Sequence, residues 1–143
     1  MEYCALKVIF DSHADWQQKM DILRCNPNFH GNPRFDCVIV KTTNGFIFAE
    51  LIFLFECTID AISYSFALIH PFDSPIGPRR QKDVDLGFYR VRAKPRQSSE
   101  FISIRSIVRG ALLVEDFDRN GDLFVIDLID SDMFLRLKAM YSR

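Results

Sequence analysis

Residues 35–59 read FDCVIVKTTNGFIFAELIFLFECTI, and the fold class turns on them. Val38, Ile39 and Val40 are a β-branched run, which suits a packed pleated surface better than a helix. Thr42-Thr43-Asn44-Gly45 follows. Asn-Gly between two apolar runs is a strong hairpin signal, here for a type I′ turn. Residues 46–59 are then the return strand, long enough to bend. One hairpin of this length needs further strands to bury its faces, and the flanking sequence supplies them.

Upstream, residues 4–10 (CALKVIF) read as a first strand. Asp11 or Ser12 could cap a short helix over residues 13–24, with Trp16, Met20 and Leu23 near helical spacing. Residues 26–33 hold two prolines, a glycine and three asparagines, which predicts a loop. Downstream, residues 62–70 are a core strand that Pro71 should stop. Residues 73–85, with Pro75, Gly77 and Pro78, read as an exposed loop. Residues 86–93 alternate as a strand, and 95–99 form a turn. Residues 101–104, 111–114 and 123–129 are the last strands. A helix over 132–141 closes the chain, with Phe134, Leu137 and Tyr141 on one face. The expectation is a mostly β fold with minor α: a single antiparallel barrel or sandwich with one or two short helices.

The 143 residues suit one domain, residues 1–143, able to bury a core without disulfides or metal. Fourteen phenylalanines favour strands and a filled interior. No apolar run approaches the roughly 18 residues that span a bilayer, and no basic-then-apolar leader follows Met1. The abrupt strand-like start suggests a domain excised from a longer protein. Cys4, Cys25, Cys37 and Cys57 form no CxxC pair. They read as reduced thiols of an intracellular protein, although four cysteines also permit three disulfide pairings.

Charge is divided along the chain. Residues 79–109 carry nine cations (Arg79, Arg80, Lys82, Arg90, Arg92, Lys94, Arg96, Arg105, Arg109) against Asp83, Asp85 and Glu100, a net of +6. Residues 110–132 carry Glu115, Asp116, Asp118, Asp122, Asp127, Asp130 and Asp132 against Arg119, a net of −6. Arg90 and Arg92 share a strand face, which Lys94 and Arg96 would extend. With Tyr89 beside them, and Arg79, Arg80 and Lys82 in the loop, they form a candidate nucleic-acid surface: phosphates on the cations, bases on the ring. The competing reading is that the two segments pair across adjacent strands and neutralise each other.

Other constellations are weaker. Asp116, Asp118, Asn120 and Asp127 match the spacing of a calcium loop, but apolar strand-like flanks replace the required helices, and an Asn-Gly turn explains the same residues. Cys25, His30 and Cys37, with His13, could be drawn as a zinc site, yet the close ligand pairs of structural zinc are missing. Asp127, Asp130 and Asp132 could hold magnesium, although a helix cap at Ser131 or Asp132 is simpler. No nucleophile elbow, phosphate loop or zinc-protease motif occurs. No enzyme activity, cofactor or small-molecule substrate is implied.

Several blocks carry a resemblance: Asp15-Trp16, LRCNP at 23–27, FHG at 29–31, PRFDC at 33–37, RSIVRGA at 105–111 and DMFLR at 132–136. Together they resemble a domain of uncharacterised basidiomycete proteins associated with mobile elements of the Kyakuja-Dileera-Zisupton and Plavaka kinds. A fainter similarity, in FISIRSI at 101–107 and the aromatic strand 46–55, is to bromo-adjacent-homology β-barrels of chromatin proteins. Neither transfers a catalytic residue. They imply a nuclear, non-catalytic accessory domain that contacts DNA or chromatin through the basic ribbon, without a membrane. The alternative is a protein–protein or self-association module using the complementary segments 79–109 and 110–132. Below both stands a metal-dependent enzyme using the aspartates. If the ribbon binds DNA, Arg90→Glu with Arg92→Glu should weaken binding without loss of stability; loss of folding would mean internal pairing.

Overall fold

The computed structural model describes residues 2–73, 88–118 and 121–141. In chain order the strands are β1 (Glu2–Tyr3), β2 (Ala5–Asp11), β3 (Gln18–Phe29), β4 (Asn32–Phe35), β5 (Cys37–Thr42), β6 (Gly45–Ile59), β7 (Ile62–Asp73), β8 (Tyr89–Ala93), β9 (Glu100–Ser103), β10 (Ile107–Glu115) and β11 (Asp122–Ile126). One helix, α1 (Ser131–Tyr141), follows. The larger sheet runs β1-β6-β5-β10-β11-β8-β7-β9, and β6 also pairs with β7. Six strands therefore close on themselves as an antiparallel barrel, the mostly β architecture expected. Strands β2-β3-β4 form a separate antiparallel sheet.

β5 explains why its sequence is a continuous apolar run. Val38 and Val40 enter one core, shared with Val8, Leu23 and Cys25 of the small sheet and with Ala49, Leu51, Leu54, Ala67 and Ile69. Ile39 enters a second core inside the barrel, with Phe48, Phe72, Tyr89, Val91 and Val125. A strand buried on both faces has no polar side to alternate with. Each fully buried side chain of this kind contributes about 1.5–3 kcal/mol.

A bulge between Leu51 and Phe53 shifts the register of β6 against β7. It also inverts parity: Ala49 and Leu51 face the first core before it, and Leu54 does after it. Past the bulge, β6 and β7 extend beyond the barrel as a long hairpin, flanked by β1 and β9.

The largest correction concerns residues 13–24. They are not a helix. Ser12 and Trp16 close a single turn (Trp16 N–H to Ser12 O, 2.8 Å), and β3 then pairs with β2 from Gln18 to Arg24. Of the three residues at helical spacing only Leu23 is buried; Trp16 and Met20 are exposed. Leu23 and Cys25 share the buried face by a period of two, and seven cross-strand pairs outweigh a weak helical pattern. Residues 26–33 are likewise not a loop: β3 continues to Phe29 and turns at His30-Gly31 into β4. Pro71 does not stop β7. It lies between the stretch paired with β9 and the stretch paired with β8, where the strand changes neighbours and a missing N–H is tolerated.

The β5–β6 hairpin forms where expected, but its turn is not type I′. Positive φ occurs at Gly45 (135°) and at neither Thr43 nor Asn44. The left-handed pairs are His30-Gly31 (49°, 86°) and Asp60-Ala61 (51°, 64°). Helix α1 begins where Asp130 accepts the Met133 N–H at 2.7 Å, so Asp130 caps it rather than Ser131 or Asp132. Met133, Leu137 and Met140 are its buried apolar stripe, and Tyr141 stacks on Tyr89 at 3.6 Å. Phe134, expected on that stripe, is exposed.

Candidate interaction surfaces

β8 carries the expected basic ribbon, and β11 lies beside it with the register Asp122↔Arg92 and Phe124↔Arg90. Arg92 donates to Asp122 at 2.8 Å. Arg90 meets both Asp116 and Asp122 and lies over the Phe124 ring. Arg90 and Arg92 do share a face, but that face looks onto buried Asp122. Arg92 keeps a side chain 66% exposed. Lys94, just beyond the strand, is exposed, and its carbonyl accepts from His70 Nε2. Tyr89, expected beside the ribbon as a stacking surface, is buried in the barrel core. Arg96 lies in the short 3-10 turn Arg96–Ser98. Arg79, Arg80 and Lys82 fall outside the described residues.

Arg109, the last cation of the basic segment, is buried. It donates to Asp132 at 2.6 Å and to Asp130 at 3.0 Å, and its Nε lies 3.5 Å from Asp21. Asp132 also accepts from Arg136 (3.1 Å) and from the His13 N–H (2.6 Å). Burial opposes the Arg109 charge, but the hydrogen bonds to Asp130 and Asp132 outweigh it and raise its pKa. Burial likewise pushes the Asp130 and Asp132 carboxyls up. The Arg109 contact at Asp130, and Arg136 with the His13 N–H at Asp132, win and hold both below the ordinary value. This network ties α1, β10 and the small sheet together. The basic and acidic segments thus meet within one chain at Arg90, Arg92 and Arg109.

The described calcium-loop residues Asp116, Asp118 and Asp127 do not converge. Asp116 turns to Arg90, Asp118 N–H closes a local turn on the Asp116 carboxylate at 3.0 Å, and Asp127 is buried beyond β11. The flanks are strands, with Glu115 paired to Leu123. Asn120 lies outside the described residues. Among the described residues no three His, Cys, Asp or Glu side chains group as a metal site, and His13 stacks on Trp16 rather than approaching Cys25 or Cys37. All four cysteines are free thiols. Burial pushes the Cys25 thiol up to about 11 and Cys37 up to about 12, so both stay protonated at neutral pH and are poor nucleophiles.

The surface that sequence reasoning undervalued is the projecting hairpin. After the bulge, Phe53, Phe55, Cys57 and Ile59 of β6 share one face. β7 sets Leu68, Phe66, Tyr64 and Ile62 opposite them in register. β9 adds Phe101 beside Leu68. This face continues the barrel interior past the barrel's end, and the small sheet packs on the opposite side, against Leu54, Ala67 and Ile69. Phe55 contacts Phe53, Phe66 and Phe101 with ring centroids 5.5–5.8 Å apart, and Tyr64 stacks on Phe66. Phe101 is 65% exposed, Ile59 56% and Ile62 55%. Residues 44–73 contain no lysine or arginine but include Glu50, Glu56, Asp60 and Asp73. That cation-free run, with apolar residues at both parities in 53–59, was the available signal.

No helix among the described residues is long and apolar enough to cross a membrane. No family model, curated protein or solved structure matches the chain.

Proposed function

We propose that the chain is a non-catalytic binding domain that recognises a protein partner through the outer face of β6, β7 and β9. The observation that carries this reading is the apolar face itself: nine uncharged side chains across three strands, of which Ile59, Ile62, Tyr64 and Phe101 are exposed and the other five half-buried. Contiguous exposed apolar patches of this kind mark interaction sites, and charge depletion with aromatic enrichment is the composition of an interface centre. Panning a displayed peptide library on the immobilised domain tests it. Captured peptides should bind the wild type and lose binding to a Tyr64→Ser, Phe101→Ser variant of unchanged melting temperature. Peptides that ignore the substitutions would refute the reading.

Nucleic acid is the second reading, favoured by exposed Arg92 and Lys94 side by side at the end of β8. Its affinity would be phosphate-driven and steep in salt. Titration against duplex DNA, single-stranded DNA and RNA at several salt concentrations decides it; no binding at low salt removes it. On the resemblance of its sequence blocks, the parent would be a basidiomycete mobile-element protein, acting in the nucleus.

A further inference from the structure

We infer that the partner of the aromatic face is an apolar peptide segment flanked by lysine or arginine; this rests on the protein-binding reading above and specifies its chemistry. The perimeter of the face is acidic. Glu2 of β1 pairs with Phe55 at one side. Asp60 sits at the hairpin tip between Ile59 and Ile62. Glu50, paired with His70, marks the inner end where the face meets the barrel. β1, β6, β7 and β9 themselves carry no lysine or arginine.

An uncharged centre inside a carboxylate perimeter selects among occupants. A second copy docking face to face would bring acidic rim against acidic rim, which is unfavourable. Nucleic acid and anionic lipid surfaces would meet the same repulsion, and the face offers no cation to hold a phosphate. A segment with apolar residues at its centre and cations at its ends satisfies both parts at once. The rings supply area and low rotamer entropy, and the carboxylates set orientation and partner choice.

The test uses the full chain and two synthetic peptides that share one Leu/Trp-rich core and differ only in lysine or glutamate flanks. Anisotropy titrations at low and high salt should give at least about tenfold tighter binding of the lysine-flanked peptide at low salt, a preference that salt erodes. Glu2→Lys with Asp60→Lys should abolish or reverse the preference, while Tyr64→Ser with Phe101→Ser should remove binding of both peptides. Equal, ring-dependent binding of both peptides would overturn the inference and leave the face reading intact. No binding, or binding that survives loss of the rings, would overturn both. Sedimentation of the protein alone showing a dimer that the ring substitutions dissolve would assign the face to a second copy and also overturn the inference.

Discussion

Asp132 shows how much one residue can hold in this molecule. Its carboxylate serves Arg109, Arg136 and the His13 N–H at once, so Asp132→Asn takes an ionic partner from two buried guanidinium groups, leaving Arg109 to Asp130 and Asp21 and Arg136 to the Asp11 carbonyl. The expected loss is about 3–5 kcal/mol in urea unfolding. The pH dependence follows from sign. Asp130 and Asp132 titrate lower in the folded state than in the unfolded chain, so the unfolded chain binds more protons as pH falls. Their contribution is complete well above the unfolded carboxylate pKa of about 3.9 and is lost progressively from about pH 5 downward. Asp132→Asn should flatten that acid limb, read as midpoint against pH. Arg90 behaves likewise: Arg90→Glu would set three carboxylates together, with Asp116 and Asp122, and should cost about 2–4 kcal/mol. The charge reversal considered for testing DNA binding is therefore a stability variant first.

At the scale of elements, close contacts and turn geometry set the expectations. A Cβ at Gly110 would lie 2.8 Å from Leu23 Cδ2 and 3.2 Å from Asp21 Oδ2. Leu23 is buried and Asp21 accepts the Gly110 N–H at 2.9 Å, so neither can yield freely. Gly110→Ala should destabilise by about 1–3 kcal/mol as β10 and β3 are forced apart. Ala61 holds φ 64° in the β6–β7 turn; Ala61→Gly should relieve that conformation and stabilise by about 0.5–1 kcal/mol, seen as a rise in Tm. Both hairpins with two left-handed residues escaped a reading that placed the type I′ turn at Asn44-Gly45. Turn type depends on the register of the flanking strands, and composition constrains it only in part.

Over the whole molecule, the described strands pair to different extents. β6 and β7 share ten register pairs, whereas β1 joins β6 through two and β9 joins β7 through four. Native-state hydrogen exchange should find the β5 and core β6 amides most protected and the short β1 and β9 edges least. Uniform protection across all strands would contradict that hierarchy. The projecting hairpin is the other global feature: one face closes the core under the small sheet, and the other continues the barrel interior into solvent. Ile59, Ile62, Tyr64 and Phe101 are exposed together on that face, and the partner-binding reading gives that exposure a function.

The β class, the β5–β6 hairpin, the terminal helix and the division of charge were legible in the sequence because each rests on local pattern: β-branched runs, an Asn-Gly step, spacing, and counts of like charge. β3 was misread because residues 16–23 satisfy a helical spacing by coincidence, and only pairing with β2 decides between the two periods. The candidate site divides the same way. Sequence placed Arg90 and Arg92 on one face, but the neighbouring strand determines what a face looks onto, and here β11 brings Asp122 to meet them. Residues 62–70 read as a core strand, yet past the end of the barrel Tyr64 is exposed and Phe66 only half-buried, because burial is a property of what packs against a strand and not of the strand's own residues.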